Sequence, residues 1–152
     1  MLPKQALTRL QRMCSRGEKC TNDLRKKLQE WKISNENAEK IIQQLQEDKF
    51  VDDARYARAF VHDKFELAGW GPLKIRNAMA LKKIDSSVID NVLRDIDSLA
   101  EKQKLEHLLT WKNKVLKNDL REKRTIKLLR FAAGRGYDYR VAYELVMKIV
   151  NN

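Results

Sequence analysis

The sequence has 152 residues, of which 43% are hydrophobic and 35% are charged, with only five glycines and two prolines. Its 32 basic and 21 acidic residues give a formal net charge of +11, which favours a polyanionic partner such as nucleic acid or an acidic protein surface. No apolar run is long enough to span a bilayer, and the first residues lack the apolar core of a signal peptide. We therefore expect a cytoplasmic protein without a membrane partner.

Three predicted helix N-caps recur along the chain, at Ser34, Asp85 and Asp138, 51 and 53 residues apart. A large apolar residue precedes each cap, and an apolar or small residue follows it by four positions, so each pair can form a hydrophobic staple. Further apolar residues stand at the same offsets from each cap. They are Leu24, Leu28, Ile41, Ile42 and Leu45, then Ile75, Met79, Val92, Leu93 and Ile96, then Leu128, Ala132, Leu145, Val146 and Ile149. Matched offsets predict two helices joined by a tight turn in each repeat.

The interval between caps leaves room for a third helix at the start of each repeat. These helices are predicted at about Gln5 to Cys14, from Asp53 to Leu67, and at about Lys102 to Lys117. The fold class expected is all-α, with three tandem three-helix repeats that form an elongated, curved module. The predicted domain boundaries follow the repeats: 1–50, 51–98 and 99–152.

The middle repeat has the clearest local signals. Asp53 is expected to cap its first helix. One face of that helix follows α-helical spacing and comprises Tyr56, Ala57, Phe60, Val61 and Lys64. Pro72, after Gly71, predicts the start of the next helix, because proline is tolerated at the first helical position. Trp70, on the turn between the two helices, is either a packing residue or an exposed contact residue.

No residue pattern points to catalysis, a metal or a cofactor. His62 and His107 are isolated, and Cys14 and Cys20 lie six residues apart without a second cysteine pair. The segment Gly69 to Gly71 is not followed by the Gly-Lys-Ser/Thr of a phosphate-binding loop. We therefore expect a non-enzyme without cofactors, whose cysteines are ordinary thiols.

The basic residues are better candidates for function, and their surplus lies in the outer repeats. Residues 1–50 hold 11 basic and 7 acidic residues, residues 51–100 hold 8 of each, and residues 101–152 hold 13 and 6. The second helix of each repeat has a basic edge. The candidate binding residues are Arg25, Lys26, Lys27, Lys74, Arg76, Lys82, Lys83, Lys123, Arg124, Lys127, Arg130 and Arg135. If the repeats stack in register, these edges form one stripe that contacts phosphates without sequence preference.

The middle repeat resembles the RecX family of bacterial regulatory proteins. Val51 to Val61 reads VDDARYARAFV and Trp70 to Arg76 reads WGPLKIR, which is similar to the family's Asp, Tyr-Ala and Phe followed by a glycine-containing turn and a Lys-x-Ile helix start. Asp23 to Leu28 in the first repeat and Gly134 to Tyr137 in the third extend the resemblance over most of the chain. The family favours glycine where Lys32 and Lys83 stand. Either the turn differs there or each lysine adopts the left-handed conformation, at a cost of about 1 kcal/mol.

The resemblance implies three three-helix repeats and a regulatory function. It implies binding to the RecA recombinase filament on single-stranded DNA and inhibition of its strand exchange, ATP hydrolysis and co-protease action, in homologous recombination, DNA repair and the SOS response. We expect a monomer whose partners are RecA and single-stranded DNA. The alternatives are a helical nucleic-acid-binding module that acts without RecA and a scaffold that binds only proteins.

Overall fold

Nine α-helices and no strand make up the computed structural model, which describes all 152 residues. The helices are α1 (Pro3–Arg16), α2 (Thr21–Glu30), α3 (Asn35–Glu47), α4 (Asp53–Val61), α5 (Pro72–Leu81), α6 (Ser86–Leu93), α7 (Ser98–Val115), α8 (Arg121–Gly134) and α9 (Tyr139–Val150). The predicted all-α class is confirmed, as are the three-helix repeats formed by α1 to α3, α4 to α6 and α7 to α9.

Contacts divide the chain into two compact units. Unit 1 comprises Met1–Phe60 and Met79–Val92, and unit 2 comprises Val61–Ala78 and Leu93–Asn152. The helices of the middle repeat are thus distributed between the two units. The domain boundaries drawn from the spacing of the caps stay a prediction.

Unit 1 has a core on the apolar faces of α1, α2 and α3. In this unit α3 packs against both α1 and α2. The buried residues are Ala6, Leu10, Leu24, Leu28, Ile33, Ala38, Ile41, Ile42, Leu45 and Val51. Burial of such aliphatic side chains removes their apolar surface from water and contributes roughly 1.5 to 3 kcal/mol for each large residue.

Unit 2 has a second core, in which α7, α8 and α9 pack against one another. Its buried residues are Leu105, Leu109, Leu128, Ala132, Tyr137, Ala142, Leu145, Val146 and Val150. Residues ten and six positions before the cap, and seven and eight positions after it, are therefore buried in both units, as their helical spacing predicts. At the offset of eleven residues after the cap Leu45 is buried, whereas Ile149 is partly buried and Ile96 lies beyond the end of α6.

The N-caps lie where the repeat predicts them. The Ser34 hydroxyl accepts a hydrogen bond from the Asn37 backbone N–H at 3.2 Å, and the Asp138 carboxylate accepts one from Arg140 N–H at 2.9 Å. Asp85 directly precedes α6. The Ser34 and Asp138 side chains each satisfy a backbone donor that the first turn of the helix leaves without a partner.

The prediction that Asp53 caps α4 is wrong, because Asp52 takes that position. Asp52 Oδ1 accepts from the Arg55 backbone N–H at 3.1 Å. Asp53 instead accepts hydrogen bonds from the Thr21 backbone N–H at 2.8 Å and from the Thr21 hydroxyl at 2.9 Å. Cys20, the residue before α2, makes no side-chain cap bond. The carboxylate of Asp53 therefore caps α2 from a distant part of the sequence.

The turns after α2 and α5 each contain a lysine in the left-handed conformation. Lys32 and Lys83 both have φ of 58°. Ile33 N–H donates to Leu28 C=O at 3.0 Å, and Ile84 N–H donates to Met79 C=O at 3.3 Å, which is the six-to-one bond of a Schellman helix end. Gly136 occupies the same position after α8, with φ of 91°. The three turns thus share one geometry, and only the third has the residue that adopts it without strain.

The first helix of the middle repeat changes from α-helical to π-helical turns before it ends. Residues His62–Leu67 continue α4 as a π-helical segment, in which Ala68 N–H donates to Asp63 C=O at 3.0 Å. The predicted extent from Asp53 to Leu67 is confirmed, and on the predicted face Ala57 and Val61 are buried while Tyr56 and Phe60 are half-buried. The prediction fails only at the last position, where Phe65 is buried in place of Lys64. The wider turn buries Phe65, which is 4% exposed, and leaves Lys64 partly exposed.

Two loops of unit 2 meet backbone to backbone. Gly71 N–H donates to Arg135 C=O at 2.6 Å, and Leu73 N–H donates to Gly136 C=O at 3.0 Å. The Tyr137 hydroxyl donates to Gly69 C=O at 3.1 Å. We call this contact between residues 69–74 and 135–137 the loop joint. It positions the start of α5 against the end of α8.

Candidate nucleic-acid interface

The twelve basic residues predicted to bind a partner lie on or beside the second helix of each repeat. Arg25, Lys26 and Lys27 are on α2, Lys74 and Arg76 are on α5, Lys82 and Lys83 follow α5, Lys123, Arg124, Lys127 and Arg130 are on α8, and Arg135 follows α8. They differ in how far the protein's own side chains already engage them.

Three of the lysines are engaged by carboxylates. Lys82 Nζ lies 2.9 Å from Asp23 Oδ1, Lys127 Nζ lies 2.7 Å from Asp119 Oδ2, and Lys27 Nζ lies 3.4 Å from Glu30 Oε2. The hydrogen bond from Lys127 holds the pKa of the Asp119 carboxyl below its ordinary value. Such partly exposed pairs are weak, so a phosphate could compete for the ammonium groups.

Two of the arginines have structural contacts. Arg135 Nη1 donates to Ala68 C=O at 2.8 Å, and its guanidinium lies 5.1 Å from the centroid of the Phe131 ring. Arg124 Nη1 donates to Asn113 Oδ1 at 3.0 Å, while its Nε is buried without a hydrogen-bond partner. Replacement of either arginine would therefore disturb unit 2 as well as any binding.

Four of the predicted residues are exposed and make no hydrogen bond or ion pair within the protein: Lys26, Lys83, Lys123 and Arg130. Lys123 and Arg130 lie seven residues apart on α8, with Lys127 between them, so the three share one face of the helix. We call Lys123, Lys127 and Arg130 the α8 basic face. It lies in the segment of the chain that holds the largest basic surplus.

Unit 1 brings three predicted cations to one cleft. Arg25, Lys26 and Lys83 line a cavity of about 230 Å³ between α2 and the first turns of α3. Arg25 donates through Nε to Glu39 Oε1 at 2.8 Å and through Nη2 to Glu39 Oε2 at 3.3 Å, and Glu39 lines the same cavity. The bidentate pair offsets one positive charge, so Lys26 and Lys83 leave the α2–α3 cleft positive.

The remaining predicted residues lie on α5. Lys74 Nζ is 4.4 Å from the centroid of the Trp70 ring, and Lys64 Nζ is 4.7 Å from it. Both ammonium groups are within the range of cation–π attraction. Trp70 is half-buried, which is intermediate between the packing residue and the exposed contact residue that the sequence allowed. Arg76 is also half-buried and has contacts within the protein.

Two features of the surface were not predicted from the sequence. Tyr139 and Tyr143 are 64% and 47% exposed on α9, and their ring centroids lie 5.9 Å apart. Asn22 on α2 is 5% exposed, lines the α2–α3 cleft, and has an amide Nδ2 without an acceptor. Comparison of the repeats could have indicated Asn22, because Leu73 and Ile126 stand at its offset of twelve residues before the cap.

The titratable side chains form no metal site. No group of three or more His, Cys, Asp or Glu side chains could hold a metal ion. Cys14 and Cys20 are free, and burial raises the pKa of the Cys20 thiol to about 11. None of the nine helices is long and apolar enough to cross a lipid bilayer.

Comparison with known proteins relates the chain to regulatory proteins. A family model described as RecX, second three-helix domain, matches residues 52–93. The chain is 34% identical to the regulatory protein RecX of Neisseria meningitidis over 139 residues, which cover 91% of this chain and 87% of that protein. It is 29% identical to the regulatory protein RecX of Oceanobacillus iheyensis over 123 residues, and 29% identical to that of Clostridium perfringens over 136 residues.

The relatives differ in length from this chain. The matched part covers 81% of the chain and 44% of the Oceanobacillus protein, and it covers 88% of the chain and 63% of the Clostridium protein. The chain therefore spans about half to two thirds of the length of these two relatives.

Solved structures support the fold. A crystal structure of RecX from Lactobacillus salivarius matches with a TM-score of 0.87 at 16% identity, over 99% of this chain and 97% of that one. A crystal structure of a regulatory protein RecX matches with the same TM-score at 24% identity, over 96% of this chain and 71% of that one. The helices, their order and the similarity to the Neisseria protein agree, and the chain belongs to the RecX family of regulatory proteins.

Proposed function

We propose that this protein binds the RecA recombinase filament on single-stranded DNA and inhibits its recombinase, ATPase and co-protease activities. Through that binding it modulates DNA repair and the SOS response. The observation that carries the proposal is membership of the RecX family, with 34% identity over 91% of the chain. The role is regulatory and non-catalytic, and the proposed partners imply a cytoplasmic location.

The charge of the chain supports a nucleoprotein partner. The net charge of +11 attracts a polyanion, and Lys26, Lys83, Lys123 and Arg130 are exposed without an ion-pair partner. Cations of this kind contact phosphates and release counterions, which supplies affinity without sequence preference. RecA on single-stranded DNA presents such phosphates beside protein surface.

The experiment is a RecA activity assay with the full chain. RecA is assembled on single-stranded DNA with ATP, and ATP hydrolysis and strand exchange are followed while the protein is added. We expect both rates to fall when the protein is at or below the RecA concentration. A chain heated to unfold it serves as a control for charge alone. Unchanged rates at a stoichiometric amount would contradict the proposal.

A further inference from the structure

The α2–α3 cleft has the composition of an anion site. Asn22, Arg25, Lys26 and Gln29 lie at positions i, i+3, i+4 and i+7 of α2, so they form one helix face along the cavity. Because Glu39 is paired with Arg25, the unpaired charges on the lining are those of Lys26 and Lys83.

The α3 N-terminus adds two features that attract an anion. The first N–H groups of a helix have no acceptor within it, and the helix dipole places partial positive charge there. Ser34 satisfies Asn37 N–H, whereas Asn35 lines the cleft at the first helical position. Carboxylates and phosphates bind at such helix ends.

The buried amide of Asn22 supports an anion site independently of the lysines and the α3 N-terminus. Its side chain lines the cleft, is 5% exposed, and has Nδ2 without a hydrogen-bond partner. A buried donor without an acceptor is destabilising, so a ligand that supplies an acceptor recovers that energy. Leu73 and Ile126, at the corresponding positions of the other repeats, are exposed, so a buried amide at this position is particular to the first repeat.

We propose that the α2–α3 cleft binds a phosphate group, whose oxygens accept hydrogen bonds from Asn22 and Arg25 and contact the ammonium groups of Lys26 and Lys83. Its volume of about 230 Å³ is several times the roughly 30 Å³ that one water molecule occupies in the liquid. A phosphodiester of single-stranded DNA is one source of the group, and this source rests on the proposed function. Free phosphate is the other source.

The turn after α5 in the second repeat positions one residue of the site, Lys83. Lys82 Nζ binds Asp23 Oδ1 at 2.9 Å, which holds the turn after α5 against α2. The next residue, Lys83, has its left-handed backbone and lines the cleft. Lys83, which stands at a backbone position that favours glycine, therefore contributes a positive charge to the site.

The test is nitrogen-15 NMR of the full chain, observing the side-chain amide of Asn22 and the Nε of Arg25. One titration uses inorganic phosphate against chloride at equal ionic strength, and the other uses an oligothymidylate. We expect both to shift the Asn22 and Arg25 signals. A shift with phosphate alone would overturn DNA as the source, and no shift with either would overturn the site.

Two matched variants extend the test. Asn22→Leu removes the amide but keeps the side-chain size, and we expect oligonucleotide affinity to fall on the order of tenfold, the value for one charge-assisted hydrogen bond. Gln46→Leu makes the same kind of change at an exposed position outside the cleft and should alter affinity less than about twofold. Thermal unfolding checks that both variants fold. An Asn22→Leu variant that folds and binds like the parent chain contradicts the proposal.

The RecA assay separates the two proposals. If RecA inhibition persists while the Asn22 signal never moves, the cleft proposal fails and the proposed function stands. If phosphate and the oligonucleotide both move the Asn22 signal while RecA activity is unaffected, the proposed function fails and the phosphate site stands.

Discussion

Three exposed lysines, Lys32, Lys49 and Lys83, have left-handed backbone with φ between 58° and 60°. An L-residue in that conformation costs roughly 1 to 2 kcal/mol because its Cβ approaches the following carbonyl oxygen. The Schellman hydrogen bonds at each turn offset the cost, since they satisfy carbonyl groups at the helix end. The sequence allowed either a different turn or a left-handed lysine at positions 32 and 83. Both lysines adopt the left-handed conformation, so the fold tolerates the backbone strain.

Lys32→Gly is expected to stabilise the protein by about 1 kcal/mol, because glycine adopts φ of 58° without a Cβ clash. Urea unfolding at neutral pH measures the change. Lys32→Ala is the matched control, since it removes the charge and keeps the Cβ, and it should give no gain. Equal stabilisation by both variants would show that charge repulsion, not backbone strain, had been relieved.

The Asp23–Lys82 pair predicts a dependence on pH. Burial alone would raise the pKa of Asp23, but hydrogen bonds from Lys82 and Cys20 and the charge of Lys82 hold it below its ordinary value. A lowered pKa in the folded state means that the pair stabilises the fold above the ordinary Asp pKa and loses that effect as pH falls through the folded value.

Lys82→Met is therefore expected to destabilise by less than about 1 kcal/mol at pH 7, with the difference from the parent chain shrinking below pH 4. Denaturant unfolding at pH 7 and pH 3 measures this. Lys40→Met, which breaks the exposed pair with Glu36, should change little at either pH. A difference for Lys82→Met that is equal at both pH values would mean that the ion pair is not its source.

At the residue scale, local signals were predictable and distant ones were not. Ser34 and Asp138 cap helices that begin at the next residue, so the signal is contained in the adjacent sequence. Asp53 reaches Thr21, 32 positions away, and a pattern read along the chain cannot show that partner. The offset of Asn22 within the repeat marks it as polar where Leu73 and Ile126 are apolar, but its burial against α3 and the turn after α5 is a tertiary feature that the sequence does not show.

At the element scale, helix extents followed from periodicity, whereas helix type and contacts between loops did not. The segment from Asp53 to Leu67 is helical as predicted, but its last six residues form π-type turns that bury Phe65. The loop joint also escaped prediction. Glycines at 71 and 136 signal turns in the sequence, but their mutual contact depends on tertiary structure.

Gly71→Ala is expected to destabilise unit 2 by roughly 2 to 3 kcal/mol or more. A Cβ on Gly71 would lie 2.5 Å from the Gly136 carbonyl carbon and 2.8 Å from Tyr137 Cγ, so the loop joint would have to open. Thermal unfolding is the measurement. Gly134→Ala is the control, because a Cβ there meets nothing within 4 Å and alanine favours the helix. Comparable losses in the two variants would contradict the close approach.

At the scale of the whole molecule, charge is distributed unevenly. Residues 101–152 hold 13 basic and 6 acidic residues, and the α8 basic face lies within them. Sequence alone could predict this surplus. It could not separate Lys127, which is paired with Asp119, from Lys123 and Arg130, which are exposed without an ion pair.

The double variant Lys123→Gln/Arg130→Gln is expected to weaken binding to single-stranded DNA and to reduce the slope of log affinity against log salt by about 1.4, or roughly 0.7 for each lost phosphate contact. Fluorescence anisotropy with an oligothymidylate between 50 and 200 mM salt, a range of about fourfold, measures the slope. The control Lys114→Gln/Lys148→Gln removes the same charge on α7 and α9. Equal slopes for both pairs would mean that α8 makes no specific phosphate contacts.

We propose that the partner of this protein is RecA on DNA, not DNA alone. A comparison of the affinity of the full chain for RecA-coated single-stranded DNA, for bare single-stranded DNA and for duplex DNA at one salt concentration tests this proposal. We expect tighter binding to the RecA-coated strand than to either bare form. Equal or weaker binding to the RecA-coated strand, or sequence-specific binding to the duplex, would contradict it and favour a nucleic-acid-binding module that acts without RecA.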